Sequence, residues 1–350
     1  MMKIYKIIIV FFTFVVFVLL QKLVMPKYTE DVIEGGFIKE YYNEKLPHDV
    51  LMIGDCELYE NFSPIVLWEK YGITSYIRGS AQQLIWQSYY LLEEMLEKEK
   101  PKVVIFNVLS LKYNKPQKEE YNRMTIDGMK MSKYKLKMIK SSMLEDEKYI
   151  EYLFPILRYH SRIFELTKDD FKYIFKDIKR TIAGYYMRVD VLSYKDGVWE
   201  EEKPSSYKFG ENAIFYLDKL RTKCAENNIE LLLVKAPSLS PKWYKEWDDE
   251  VKKYANKYNL KYINFLELVD DIGIDYSKDT YDEGLHMNIT GAEKCADYLG
   301  KFLKNNYEIK DRRIEEKFKN DWLKKIEYYE QMKKYQYNSL KKYGEYRVFK

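Results

Sequence analysis

Histidine is nearly missing from this 350-residue chain, which carries only His48, His160 and His286. Any imidazole chemistry must therefore draw on one of three positions. Cysteine is as sparse: Cys56, Cys224 and Cys295 form an odd set with no Cys-x-x-Cys pair. That argues against a disulfide framework and against a zinc site, while free thiols remain compatible with export. The sequence also lacks a glycine-rich phosphate loop and a cluster of ligating side chains, so neither an organic cofactor nor a metal is expected. Net charge is only +4, with acids and bases interspersed, and nothing marks a nucleic-acid partner.

What is abundant is tyrosine, at 35 residues, within a chain that is 46% hydrophobic overall. That composition can supply the core of one large α/β domain. The clearest single signal is at the N-terminus. Ile7 to Leu20 are apolar except for Thr13, and Leu23 to Met25 extend the run past Gln21 and Lys22. Spanning a bilayer takes about 20 residues, and Lys22 can reach the interface. No small-residue cleavage site follows, so residues 1–26 are expected to form an uncleaved single-pass anchor. Lys3 and Lys6 precede the span while Lys22 and Lys27 follow it, so charge hardly orients it. The ordinary signal-anchor topology would place the rest of the chain outside the cell.

After a polar stalk over residues 27–47, the pattern becomes α/β. Val50 to Ile53, Ile73 to Ile77 and Val103 to Phe106 read as buried strands. Between them, Ser63-Pro64 opens one helix and Ala81 to Lys98 forms a long amphipathic one. Residues 113–206 break the rhythm and read as a helical insertion. The rhythm resumes with a helix over Asn212 to Asn227, a strand over Ile229 to Val234, a helix carrying Trp243, Trp247 and Tyr254, a strand over Tyr262 to Phe265, and a helix over Ala292 to Leu303. Alternation of this kind predicts a parallel sheet with crossover helices on both faces, built from 48–112 and 207–305. Residues 306–350 are charged, and a helical tail with a solvated or partner-binding face is expected.

In a parallel sheet, ligands bind beyond the carboxyl ends of the strands. The loops there hold Gly54-Asp55-Cys56-Glu57, Arg78-Gly79-Ser80-Ala81 and Asn107-Val108-Leu109-Ser110, and late in the domain comes Tyr281-Asp282-Glu283-Gly284-Leu285-His286-Met287-Asn288. A nucleophile candidate, glycine and amide loops and an Asp/His cluster thus fall where one cleft would form. His48 reads as a surface residue, and His160 as a structural or anion-binding one in the insertion.

These blocks resemble those of the SGNH, or GDSL-like, hydrolases. Leu51 to Cys56 looks like the family's GDS block, and the Asp–His segment followed by Asn288 and Gly291 is similar to its closing block. Gly54-Asp55-Cys56-Glu57-Leu58 ahead of Phe62-Ser63-Pro64 resembles the membrane-anchored branch, which includes the teichoic acid D-alanyl transfer protein and polysaccharide O-acetyltransferase subunits. The resemblance covers residues 48–112 and 210–305. It implies a three-layer flavodoxin-like fold and assigns roles. Cys56 would stand where the family has serine, and His286 would be the general base. Asp282 is the favoured third member of the triad, with Glu283 open. The backbone N–H groups of Cys56 and Gly79 and the Asn107 side chain would hold the oxyanion. A cysteine nucleophile needs a thiol pKa lowered from about 8.5 towards neutrality, which a strand end, a helix N-terminus and His286 could supply. Trp243 and Trp247 could stack on sugar rings or pack the helix onto the sheet.

The expected function is a cell-surface O-acyltransferase, taking an acetyl or D-alanyl group from a multi-spanning membrane acyltransferase. It would pass that group to a polysaccharide or teichoic acid. An esterase acting on the same polymer and a non-catalytic glycan-binding scaffold are the alternatives.

Overall fold

The computed structural model describes residues 2–27, 33–176, 178–199 and 203–349. Its centre is a sheet of five parallel strands: β1 (Val50–Gly54), β2 (Ser75–Gly79), β3 (Val103–Asn107), β4 (Glu230–Lys235) and β5 (Lys261–Asn264). Their spatial order is β2-β1-β3-β4-β5. Each of the first three is buried along its whole length, as expected of strands covered by helices on both faces. This is why Val-Leu-Met-Ile and Val-Val-Ile-Phe run without polar alternation. The register pairs Gly54 with Gly79 and Asn107 with Val234. The ends of β2, β1, β3 and β4 are therefore level, and the loops leaving them share one rim.

Local chemistry fixes the helices beside that rim. Helix α1 is the N-terminal segment Met2–Val24. Helix α2 (Cys56–Tyr59) starts directly after β1, with the Asp55 side chain accepting from Glu57 N as its cap. Helix α3 (Pro64–Tyr71) has Ser63 at its N-cap and proline at its first position, and it ends at Gly72, whose φ is 64°. Such a left-handed residue is a common helix stop. Helix α4 (Ile85–Met95) is shorter than the Ala81–Lys98 helix expected, and helix α5 (Glu211–Glu226) follows the insertion. Helix α6 (Lys245–Lys257) covers the far edge, and α7 (Ile289–Asn306) is capped by Asn288, whose Oδ1 accepts from Thr290 N and Gly291 N. A final helix, α8, runs from Glu316 to Tyr343.

Four expectations are corrected. The second strand begins at Ser75, not Ile73. The stalk is no free spacer, because Phe37, Ile38 and Tyr41 are buried, with Phe37 edge-on to Tyr59 at 5.2 Å. Residues 28–32 of that stalk lie outside the described residues. His48 is buried rather than superficial, held by Glu99 through Nδ1 at 3.0 Å. The tail is not a solvated arm on every side: Phe318, Trp322, Tyr329 and Met332 of α8 are buried, and Trp322 stacks on Trp68 at 5.1 Å and 9°. Amphipathic spacing hidden among many charges explains the difference.

The insertion is helical over Glu119–Ile126, Lys133–Ser142, Tyr149–Leu153, Ile156–Tyr159 and Lys168–Lys172. Its later part forms a strap along the open side of β2, where Ile77 N donates to Ala183 O at 2.9 Å and Tyr186 N to Tyr59 O at 2.8 Å. Glycine is required in that strap. At Gly184 φ is +85°, and a Cβ there would stand 1.8 Å from Ile77 O.

Candidate active site

Cys56 is the first residue of α2, straight off the end of β1, and is half-buried while its neighbours on both sides are buried. The strand end fixes the backbone, and the Asp55 cap fixes the turn. The Cys56 thiol and the His286 imidazole are close enough for each to shift the titration of the other. His286 Nδ1 lies 2.7 Å from Asp282 Oδ2, while Asp282 Oδ1 accepts from His286 N at 2.7 Å. The turn 280–286 is therefore closed on itself by one carboxylate that sets both the backbone and the ring. Of the two acids left open by the sequence, Asp282 is the one at the imidazole. Glu283 has φ +60° and its carbonyl accepts from Trp199 Nε1 at 2.9 Å.

A further carboxylate at this site has no counterpart in the sequence reading. Glu60, buried, places Oε1 3.9 Å from His286 Nε2 and accepts from the Tyr281 hydroxyl, whose ring lies nearly parallel to the imidazole. Arg188, from the insertion, sits over the Tyr281 ring at 4.1 Å. Glu60 follows Cys56 by one helical turn, and that spacing was the available signal.

The electrostatics differ from the expected activated thiolate. Burial pushes the Cys56 thiol up, and the pull of His286 does not reverse this. Burial also raises the Glu60 carboxyl to about 7 against the opposing pull of His286 and Tyr281. For His286 burial acts downwards, but Glu60, Cys56 and the Asp282 hydrogen bond outweigh it and hold the imidazole well above its ordinary range. Both groups are thus shifted upwards, so the site does not lower the thiol towards neutrality as the sequence reading required.

Beneath Cys56 lies a dry polar floor. Lys235, at the end of β4 and fully buried, donates to both Glu57 carboxylate oxygens at 2.8 and 2.9 Å and to Ala236 O at 2.8 Å. Asn107 Nδ2 donates to Asp55 Oδ1 at 2.8 Å and to Glu57 Oε2 at 3.0 Å. This corrects the role expected of Asn107. Both of its amide hydrogens are committed to carboxylates, so it braces the nucleophile loop and offers no donor to an oxyanion. Gly79, expected as a backbone donor, stands at the end of β2 with its Cα so close to β1 that a Cβ would meet Gly54 O at 2.6 Å. Asn61 ties the two halves of the site together, donating to Ser238 Oγ at 2.9 Å and accepting from Met287 N at 2.7 Å.

No protein-family model and no curated protein matches the sequence. Among solved structures, the chain is similar to a protein from Desulfitobacterium hafniense DCB-2 classed with the lipolytic G-D-S-L family. The match has 14% identity and a TM-score of 0.37, and covers 72% of this chain and 97% of that one. A likeness this slight carries no weight for activity; the α/β fold rests on the sheet topology itself.

The two tryptophans, for which sugar stacking and helix packing were both open, part company. Trp247 is buried and packs edge-on against Tyr244 at 5.1 Å, which is the packing use. Trp243 lies ahead of α6 and lines a cavity of about 470 Å³ with Tyr194, Trp199, Leu239, Lys203 and Lys242. The cavity adjoins the histidine turn, because Leu239 N donates to Gly284 O at 2.8 Å. His160 is exposed, with Nδ1 3.1 Å from Leu157 O, and takes no part in the site.

Proposed function

We propose that the protein is an envelope-facing acyl-transfer enzyme that works through a Cys56 thioester. The observation that carries this reading is the grouping of Cys56, His286 and Asp282 at the rim of a parallel sheet, with His286 Nδ1 2.7 Å from Asp282 Oδ2. His286 takes the thiol proton as sulfur attacks the acyl carbonyl. The carbon–leaving-group bond then breaks, and the same proton passes from the imidazolium to the leaving group. Asp282 holds the ring in one tautomer and steadies its positive charge. The backbone N–H of Cys56, the first of α2, would serve as a donor to the developing oxyanion. Attack by a sugar hydroxyl would complete transfer to a polysaccharide or teichoic acid, and attack by water would make the enzyme an esterase.

Two features support transfer at a membrane surface. Helix α1 is long and apolar enough to cross a bilayer, which would hold the site near a multi-spanning acyl donor on the outer side. The aromatic cavity beside the histidine turn, with Lys203 and Lys242 at its wall, suits a sugar polymer bearing negative charge.

The test is intact-mass analysis of the full chain in detergent after exposure to p-nitrophenyl acetate. One acetyl adduct that disappears in both Cys56→Ala and His286→Ala is expected. An adduct unchanged in Cys56→Ala would refute the mechanism. Persistence of the adduct in water until a glycan acceptor is added would separate transferase from esterase.

A further inference from the structure

If α1 spans a bilayer, its own geometry says how much of the neighbouring chain must go with it. At about 1.5 Å per residue, Ile4–Val24 is roughly 30 Å long, just the thickness of the hydrocarbon core. Yet only Ile4 to Phe14 are exposed throughout, and from Val15 onward most of the helix is half-buried against the rest of the protein. Eleven bare residues reach about 16 Å, half of what a span requires. The covered half must therefore also lie at bilayer depth, together with whatever covers it.

The covering segment comes from the insertion. Helix Ile156–Tyr159, the turn His160–Phe164 and helix Lys168–Lys172 all pack against α1. Phe17 and Phe154 meet at 6.0 Å between ring centroids, and Arg162 Nη1 donates to Val24 O at 2.5 Å. Phe17 lies seven residues before Val24, which sets it roughly 10 Å below the end of the helix. Phe154 therefore shares that depth. The same segment carries several bare apolar side chains: Phe164 is 92% exposed, Phe175 76% and Phe171 58%, and Leu157 and Ile163 are exposed too. In water this would be an unusually greasy patch for one short stretch of chain. Exposed lysines, Lys168, Lys172 and Lys176, alternate with these phenylalanines, the composition of a segment lying at the boundary of acyl chains and anionic headgroups.

We propose that residues 149–176 form a membrane-inserted collar around the outer end of the anchor, seated in the lipid bilayer itself. Phe164, Phe171 and Phe175 enter the acyl region, and the lysines remain at headgroup level. The α/β domain is thereby held at a fixed height and tilt above the surface instead of swinging on a tether. The collar rests on the spanning reading of α1, and the experiment is arranged so that the two can fail separately.

The full chain carrying Cys56→Ala would be reconstituted in nanodiscs of phosphatidylglycerol and phosphatidylethanolamine, with no other protein present. Cys224 and Cys295 are buried, so spin label can be directed in turn to Val10→Cys, Phe164→Cys, Phe175→Cys and Lys257→Cys. Power-saturation electron paramagnetic resonance then compares relaxation by oxygen, which enters hydrocarbon, with that by a water-soluble nickel chelate. The expected result is an oxygen-to-nickel ratio at Phe164→Cys and Phe175→Cys several-fold above that at Lys257→Cys and in the direction of Val10→Cys. If Val10→Cys reads as hydrocarbon while both collar sites match Lys257→Cys, the collar is refuted and the anchor stands. If Val10→Cys itself reads as water, the anchor reading fails and the collar with it.

Discussion

Replacing Lys235 by methionine keeps the length and much of the volume of the side chain but deletes its charge. In the native protein the ammonium group makes contacts of 2.8 and 2.9 Å to Glu57 and 2.8 Å to Ala236 O in a site closed to water. Without it, Glu57 is left as an uncompensated buried carboxylate, 2% exposed at its side chain, with one Asn107 hydrogen bond. Breaking a buried pair from one side costs about 3–5 kcal/mol, because desolvation is no longer offset. At about 2 °C per kcal/mol, the figure for large domains, Tm should fall by roughly 6–10 °C. The assay is thermal unfolding in detergent followed by near-ultraviolet circular dichroism. The pairing argument makes a second demand. The double variant Glu57→Gln/Lys235→Met removes both charges and should recover most of the loss, since two neutral groups need no mutual compensation. A single variant losing less than about 1 kcal/mol, or a double variant whose loss equals the sum of the singles, would refute the reasoning.

The remaining predictions concern the site and the outer layers. Glu60→Gln removes a carboxylate 3.9 Å from His286 Nε2. It should shift the pH dependence of Cys56 alkylation by iodoacetamide to lower pH by on the order of one unit; an unmoved profile would show that Glu60 does not bias the pair. Burial raises Glu40, Asp55 and Glu60 each to about 7. The folded state therefore holds protons that the unfolded chain releases between about pH 4 and 7, and stability falls as pH rises through that window. Tm should be higher at pH 5.5 than at pH 8, and the opposite order would contradict the burial of these acids. Trp322→Ala should cost about 3–5 kcal/mol in urea unfolding; a loss under about 0.5 kcal/mol would return the tail to the status of a surface arm.

Those parts of the fold that depend on short-range pattern were legible in the sequence. The apolar runs at 50–53 and 103–106 gave strands because a strand buried on both faces has no polar alternation to disguise it. Ser63-Pro64 marked a helix start through local backbone chemistry alone. Cys56 stood out because it follows a strand end of a parallel sheet, and His286 and Asp282 because the block around them resembles the closing block of the SGNH hydrolases. What escaped was set by distant partners. His48 looks superficial until Glu99 is brought to it across the fold, and Asn107 looks like a free donor until Asp55 and Glu57 claim both its hydrogens. Trp243 and Trp247 are alike in composition and spacing, and only the packing of Tyr244 and Tyr207 buries one of them. The buried face of α8 was masked by lysines and glutamates that lie on its other side.

The strap at residues 181–186 has a consequence in time as well as in space. It covers the outer edge of β2, where Ile77 N would otherwise be an open donor for any passing strand. Yet β2 ends at Gly79 and the strap arrives about a hundred residues later. At 5–20 residues per second, a ribosome needs roughly 5–20 s to make that stretch. During this interval the first three strands can pair while the edge of β2 remains unguarded. The chain thus completes its own edge protection late, and the vulnerable species is the nascent chain halted inside its insertion.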